Sequence, residues 1–248
     1  MLQTKLHFAR FEFKYILPLD LRNEIERELS HFLQLDPYVE SKSDKKYMVR
    51  SLYYDDPSFQ SYYDKTDGML HRSKFRLRTY TNDDLENCAT FLEIKGRHDA
   101  LVFKHREKLN NSVKNILSGD KCSTNEVIKY FDRKGDVAER FEYETIKKDL
   151  RPIMLIDYFR RPYISRYDAE FRLTFDEKIR ATQTSSLYPS GFYATKDVLR
   201  GYTVMEVKFR YHMPSWFHHI IQAYSLRRVS VSKIVSGIDV WGLTPNLE

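Results

Sequence analysis

Three short phrases, Glu12-Phe13-Lys14, Glu93-Ile94-Lys95 and Glu206-Val207-Lys208, each set a carboxylate and an ammonium two residues apart around an apolar residue. In an extended chain, residues two apart share a face. Each phrase therefore puts its Glu and Lys on one side and its apolar residue on the other. Two further stretches alternate in the same way: Lys74, Arg76 and Arg78 around Phe75 and Leu77, and Glu170 and Arg172 around Phe171 and Leu173. One such strand is ordinarily a strand with a solvated face. Five of them drawing on the same few residue types, with Arg and Lys in excess of Glu, point to one shared basic lining. If that lining were dry, each unpaired charge would cost several kcal/mol. It must be wet, internally paired or neutralised by an anion. A chain of phosphates suits it, because Arg offers bidentate forks and Lys a compact charge. The minority carboxylates are then placed to hold Mg²⁺ or Mn²⁺ against phosphate oxygens.

The 248 residues are 42% hydrophobic and 15% aromatic, enough for a core, and the 18 Tyr and 16 Phe favour strands. A net charge of +6 implies an anionic partner without choosing among nucleic acid, anionic lipid and phosphorylated small molecules. Two cysteines, Cys88 and Cys122, are too few for a disulfide scaffold and suit a reducing compartment. Lys5, Arg10, Glu12 and Lys14 interrupt the N-terminal stretch, so it does not read as a signal peptide, and no run approaches the roughly 18 apolar residues of a membrane span. A soluble, cytoplasmic protein is expected. P-loop and dinucleotide fingerprints are missing. The cysteines lack metal-ligand spacing, and the adjacent His218 and His219 cannot both face one metal from a regular helix. No nucleophilic triad is apparent. The aromatic residues alternate with the charges and face away from them, which argues against stacking on RNA, and no nucleic-acid partner is expected.

The elements that must carry these residues follow from periodicity. A strand is expected over 7–16. Asp20 then caps a helix to about Gln34, with Leu21, Ile25, Leu29, Phe32 and Leu33 on one face. Strands are expected over 46–54, ending at the Asp55-Asp56-Pro57 turn, over 61–65 as a short piece, and over 74–80. After a polar loop at 81–87, strands 89–97 and 101–108 form a hairpin that puts Lys104, Arg106 and Lys108 on one face. From 111 to 150 the period becomes helical, with Ser123 and Glu126 as a capping box and a second helix over 138–150. Strands return over 152–165, 168–176 and 202–210, and a helix begins at Pro214. The irregular spacing of the Glu-x-Lys phrases suits a barrel and not a repeat array. Residues 1–248 therefore read as a single domain of α+β class, an antiparallel β-barrel with peripheral helices and a helical insert at about 111–150.

Several runs resemble a known family. Tyr47-Met48-Val49-Arg50-Ser51-Leu52-Tyr53-Tyr54-Asp55, Lys74-Phe75-Arg76-Leu77-Arg78-Thr79-Tyr80, Phe91-Leu92-Glu93-Ile94-Lys95, Glu206-Val207-Lys208 and Ser232-Lys233 resemble the VTC domain in type and order. That is the catalytic domain of the vacuolar transporter chaperone polyphosphate polymerases, and the resemblance runs nearly end to end. It implies the triphosphate tunnel (CYTH-like) fold, an antiparallel β-barrel around a basic tunnel. It also implies transfer of the γ-phosphate of ATP onto inorganic polyphosphate, with Mn²⁺ or Mg²⁺. Carried onto this sequence, it implies phosphate contacts at Lys14, Arg76, Arg78, Lys95, Arg161, Arg172, Ser232 and Lys233, and a metal ligand at Glu206. Arg76, Arg78 and Lys95, with Lys208, are expected at the reacting phosphates. Alternation alone adds Lys104 and Arg106 as substrate contacts. Glu12 and Glu93 are further candidates for the metal, or for pairing with neighbouring lysines.

Two departures qualify what the resemblance implies. Where the fungal pattern has a further Lys just before Ser-Lys, this chain has Ser230 and Val231, which removes one phosphate contact. The broader superfamily, which includes adenylate cyclases and thiamine triphosphatases, opens with Glu-x-Glu-x-Lys. Here Arg10-Phe11-Glu12-Phe13-Lys14 exchanges the first carboxylate for a cation and favours the polymerase-like branch. The regulatory SPX domain and membrane helices of the eukaryotic proteins have no counterpart in the sequence, which reads as a stand-alone domain. Three functions are open: a polyphosphate polymerase, a tripolyphosphatase or nucleoside triphosphatase in which a Glu activates water, and a non-catalytic polyphosphate- or nucleotide-binding module.

Overall fold

The computed structural model describes residues 11–81, 89–99, 101–110, 122–131 and 133–244. Among them ten strands join in one antiparallel sheet. They are β1 (Phe11–Pro18), β2 (Leu33–Leu35), β3 (Tyr47–Asp55), β4 (His71–Thr81), β5 (Thr90–His98), β6 (Leu101–Lys108), β7 (Arg151–Ser165), β8 (Arg172–Thr182), β9 (Thr195–Asp197) and β10 (Tyr202–Phe209). Eight strands follow the order β1-β10-β8-β7-β3-β4-β5-β6, while β2 pairs with β7 and β9 with β8. The helices are α1 (Leu19–Leu29), α2 (Pro37–Glu40), α3 (Gln60–Thr66), α4 (Thr124–Ile128), α5 (Asp136–Lys148), α6 (Ser215–Ala223) and α7 (Lys233–Trp241). The sheet curls into a half-barrel whose edge strands β1 and β6 come near each other without pairing. Lys95 on β5 reaches across that seam to Glu12 on β1 at 2.9 Å. The α+β antiparallel tunnel architecture expected from the sequence is the one observed. Among the described residues no helix is long and apolar enough to cross a membrane.

Alternation sends the apolar residues to the convex face, where helices cover them. Tyr15, Leu173, Phe175, Met205, Val207 and Phe209 form one core with Ile25 and Leu29 of α1 and Phe217 and Ile220 of α6. Leu52, Phe75, Leu77, Leu92 and Ile94 form another with Val127 of α4 and Phe141 of α5. Helix α7 lies on the other face. Its Ile234 and Ile238 pack on Val49, Tyr53, Met154, Ile156, Tyr158 and Ala181, inside the curl. Gly237 permits that approach: a Cβ there would stand 2.8 Å from Ile156 Cδ1 and 3.2 Å from Ala181 Cβ. The concave face is thus apolar under α7 and charged elsewhere. A β-bulge marks the border. Asp157 pairs with Arg180 but Phe159 with Glu177, and the extra residue, Lys178, has φ 51°. Asp176 and Ile179, three residues apart, consequently both face inward.

Three expected elements differ: a helix stands at 60–66, α1 ends early, and the strand expected over 168–176 begins only at Arg172 and runs to Thr182. Residues 60–66 are helical and not a strand, because the Asp55 and Asp56 carboxylates accept the backbone N–H groups of Ser61, Tyr62, Ser58 and Gln60. Those side-chain caps satisfy the orphan donors of a helix start. Helix α1 ends at Leu29, and the chain then enters β2, which pairs Leu33–Leu35 with β7. Asp20 sits in the first turn of α1, with Pro18 at the N-cap position. Of the expected polar loop, residues 82–87 lie outside the described residues, as do 111–121 and 132 of the helical insert.

Candidate active site

The uncovered part of the concave face is a cavity of about 760 Å³. Fifteen Lys and Arg side chains line it, against two acidic ones, Glu12 and Glu206. Two more carboxylates, Glu93 and Asp176, hold lining cations from the same face. Register explains the arrangement. On β1 and β10, Glu12 stands opposite Lys208 and Lys14 opposite Glu206. Lys14 Nζ is 3.1 Å from Glu12 Oε1 and 3.8 Å from Glu206 Oε2, and Lys208 Nζ is 2.5 Å from Glu206 Oε1. On β4 and β5, Arg76 donates to Glu93 Oε2 from Nε at 2.9 Å and Nη2 at 2.6 Å, and to the Tyr53 hydroxyl from Nη1 at 2.9 Å. Arg78 donates to Ser51 Oγ at 3.0 Å. On β7 and β8, Arg160 grips Asp176 with both forks at 2.7 and 2.8 Å. Lys233, the first residue of α7, reaches the same carboxylate at 2.6 Å. The loop before α7 covers part of the free edge of β1: the Val229 N–H donates to the Lys14 carbonyl, and Lys14 Nζ donates to the Val231 carbonyl.

Ser232 is the N-cap residue of α7, and its side chain makes no capping hydrogen bond. The helix N-terminus therefore brings orphan N–H donors and a partial positive charge toward a cavity already rich in cations. An assembly of this kind attracts an anion with several charged oxygens.

The description VTC domain belongs to the family model that matches residues 9–241 of this chain. The chain belongs to the VTC domain family. No functionally curated protein matches its sequence. Solved structures share its fold. A candidate adenylate cyclase from Bacillus halodurans is 14% identical, with 91% of this chain and 96% of that one covered and a TM-score of 0.52. A candidate adenylyl cyclase from Hippeastrum, HpAC1, described as having a dominant triphosphatase activity, is 13% identical, with 93% and 96% covered and a TM-score of 0.53.

In this VTC domain Lys14, Arg76, Arg78, Lys95, Lys104, Arg106, Arg172, Lys208, Ser232, Lys233, Glu12 and Glu206 all line the one cavity. Arg161 is not among them. It stands opposite Phe175, on the convex side, and donates to Glu26 of α1 at 2.9 Å. Its neighbour Arg160 is the one that faces in, since adjacent residues of a strand point oppositely. Glu93 is fully buried and committed to Arg76, with Lys104 3.4 Å away on its other oxygen, so it stabilises cations and is not offered to a metal. Lys74, expected on the basic lining though not named as a contact, is there too, and lining residues that were not expected include Tyr53, Lys65, Arg72, Arg97, Tyr158, Arg160 and Arg228. For Lys74, Arg72 and Arg160 the signal was parity with Arg76, Arg78 and Tyr158. Lys65 comes from α3, a segment read as a strand, and Arg228 from a loop, where no period announces a side chain's direction.

Glu12 and Glu206 suit a divalent cation as hard oxygen donors facing the cavity, and one or two carboxylates completed by phosphate oxygens is the usual protein share of a Mg²⁺ site. Burial would raise both carboxyls, and Glu206 would raise Glu12 further, but Lys95, Lys14 and Lys208, joined at Glu206 by Arg160, outweigh this and hold them below the ordinary range. They are thus available as carboxylates. Burial also works against the charge of Lys95 and, despite Glu12, brings it down to about 8. Burial would raise the Tyr53 phenol as well, yet Arg76 and Arg78 bring it down to about 7.

Proposed function

We propose that this VTC domain transfers the terminal phosphoryl group of ATP to inorganic polyphosphate, with Mn²⁺ or Mg²⁺, on a phosphate chain held in the cavity. The observation that carries the reading is the charge balance of the lining: fifteen cations to two carboxylates, on the part of the concave face that α7 leaves uncovered. Phosphoryl transfer asks a protein chiefly for alignment and neutralisation of phosphate oxygens. Arg76 and Arg78 are held rigidly by Glu93 and Ser51, which orients their remaining donors. Lys14, Lys95 and Lys208 presently pair with Glu12 and Glu206. An incoming phosphate chain draws these ammonium groups onto its own oxygens and leaves the two carboxylates without counter-charges. A divalent cation there restores the balance and, when bound, neutralises charge on the reacting phosphates. A phosphate terminus as acceptor needs no protein nucleophile.

Hydrolysis is the second reading, favoured by the triphosphatase activity in the description of the Hippeastrum protein of like fold. Incubation with ATP and Mn²⁺ or Mg²⁺ separates the two. A ladder of polyphosphate on a gel supports the polymerase; ADP and orthophosphate alone move the assignment to water as acceptor. Glu206→Gln is expected to abolish metal-dependent turnover while phosphate binding in EDTA persists. Binding without any metal-dependent turnover in the unmodified protein reduces the domain to a binding module.

A further inference from the structure

His71 and His98 stand directly opposite each other at the end of the β4–β5 ladder. Their chain neighbours Arg72 and Arg97 line the cavity, so both imidazoles project from the convex side of the sheet, since adjacent strand residues point oppositely. Residues paired in this way carry their Cβ atoms about 4.5–5.5 Å apart. The two rings meet edge to face with their centroids 4.1 Å apart. Asp99, the residue after β5, brings a carboxylate to the same spot: its Oδ2 is 3.3 Å from His98 Nδ1. The backbone holds it there. Asp99 has φ 52°, a left-handed conformation that Asp tolerates, and its N–H donates to the Leu70 carbonyl at 3.1 Å, one residue before His71. Its own carbonyl accepts from Arg97 Nε at 2.6 Å. All three side chains are exposed, and none lines the cavity.

Two imidazole nitrogens and a carboxylate oxygen, all within 4.8 Å of one another, are the donor set of a transition-metal site. The 3.3 Å between Asp99 and His98 is long for a charge-assisted hydrogen bond, which is about 2.7–2.9 Å. It is the separation of two donors on one ion: bonds of about 2.0–2.1 Å at a tetrahedral angle set them about 3.3–3.4 Å apart. The remaining gaps close by rotation of exposed side chains. We propose that His71, His98 and Asp99 form a surface site for Zn²⁺ or a similar borderline cation, with water in the fourth position. The site differs from Glu12 and Glu206 in place and in chemistry, because Mg²⁺ takes oxygen donors whereas imidazole suits Zn²⁺. Arg72 and Arg97 work against a cation here, but from the other face of the sheet and across water that screens them. A bound ion ties the start of β4 to the β5–β6 turn, at the strand positions where Arg72 and Arg97 enter the cavity lining. Its role is that of a staple, stabilising the fold in proportion to its affinity.

The test is calorimetric titration of the untagged protein with Zn²⁺ in excess Mg²⁺, which fills oxygen-donor sites and competes little for imidazole. Zn²⁺ binding that depends on both histidines is expected. His71→Ala and His98→Ala each remove a ligand and are expected to weaken it at least about a hundredfold, the upper end of what losing even an outer-shell partner costs. Asp99→Asn is expected to weaken it about tenfold or more. Zn²⁺ should also raise the melting temperature of the unmodified protein more than that of His71→Ala. Cooperative melting of the metal-free variants at the unmodified temperature shows that they are folded, as exposed positions allow. Binding that survives unchanged in either histidine variant places the ion elsewhere and overturns the site, and so does an unmodified protein that takes up no Zn²⁺. Neither result touches the polymerase reading, which rests on the cavity. Conversely, an unmodified protein that fails to bind tripolyphosphate strikes that reading and leaves the histidine site standing.

Discussion

At the scale of single residues, Glu93 is the group on which the site depends without presenting it to a ligand. It is fully buried, and Arg76, Arg78 and Lys104 gather around its carboxylate. Burial would raise its pKa, and those three cations more than reverse that, holding it below the ordinary range. A carboxylate depressed in the fold contributes stability above its unfolded pKa of about 4.3, and the contribution is lost as pH falls through the folded value. Glu12, Glu206 and Asp176 act in the same direction. Urea unfolding should therefore give a stability that falls steeply below about pH 4. Glu93→Gln leaves Arg76 buried without its charge partner and is expected to cost about 3–5 kcal/mol at pH 7, with a shallower acid limb. A loss under about 1 kcal/mol would mean that the pair is replaceable by any hydrogen bond. Glu93 was legible as a strand residue facing the basic lining; its partners were not, because parity assigns a face and says nothing of which strand lies alongside. Parity also separates Arg160 from Arg161, and the choice of Arg161 failed where a motif match was followed in place of the alternation with Tyr158.

At the scale of elements, α7 does two things: it fills the apolar half of the concave face and presents Ser232 and Lys233 to the charged half. Gly237 couples them. Gly237→Ala gains about 1 kcal/mol of helix propensity but brings a methyl within 2.8 Å of Ile156 Cδ1, which can turn aside, and 3.2 Å of Ala181 Cβ, which cannot. The net change should be small. Gly237→Val has no such escape and is expected to destabilise by about 1–3 kcal/mol through overpacking. It should also weaken tripolyphosphate binding, because lifting α7 moves Lys233 off Asp176. Melting temperature and a binding titration on the same variant check this; lost stability with unchanged affinity would disconnect helix seating from the site. The sequence made most strands legible, since their period is local. It did not make the position of α7 legible: an amphipathic helix fits either face of a curled sheet, and a bulge at Lys178 decides which residues of β8 greet it. Residues 60–66 were misjudged for the related reason that capping by Asp55 and Asp56 comes from outside the segment.

At the scale of the whole molecule, the fold encloses more positive charge than it neutralises, so an anionic ligand should stabilise the entire chain. At a concentration one hundred times its dissociation constant, tripolyphosphate would add about 2.7 kcal/mol, which for a chain of this size is a rise of about 5–10 °C in melting temperature. Added salt should shrink the rise by screening. The pH dependence is more specific. Tyr53 at about 7, and Lys74 and Lys95 at about 8, all lose a proton as pH rises, so the cavity gains a negative charge beside Arg76 and loses positive ones beside Arg72 and Glu12. A bound anion favours the protonated form of each group, hence binding must weaken as pH climbs through these values. Ordinary lysines, near 10.4, keep their charge over the same range. The ligand-induced rise should accordingly be largest near pH 6.5 and fall by pH 9 at fixed ligand concentration, and Tyr53→Phe should remove the lower part of the decline. A rise that stays constant from pH 6.5 to 9 would place the bound anion away from Tyr53 and Lys74, and so outside the curl of the sheet.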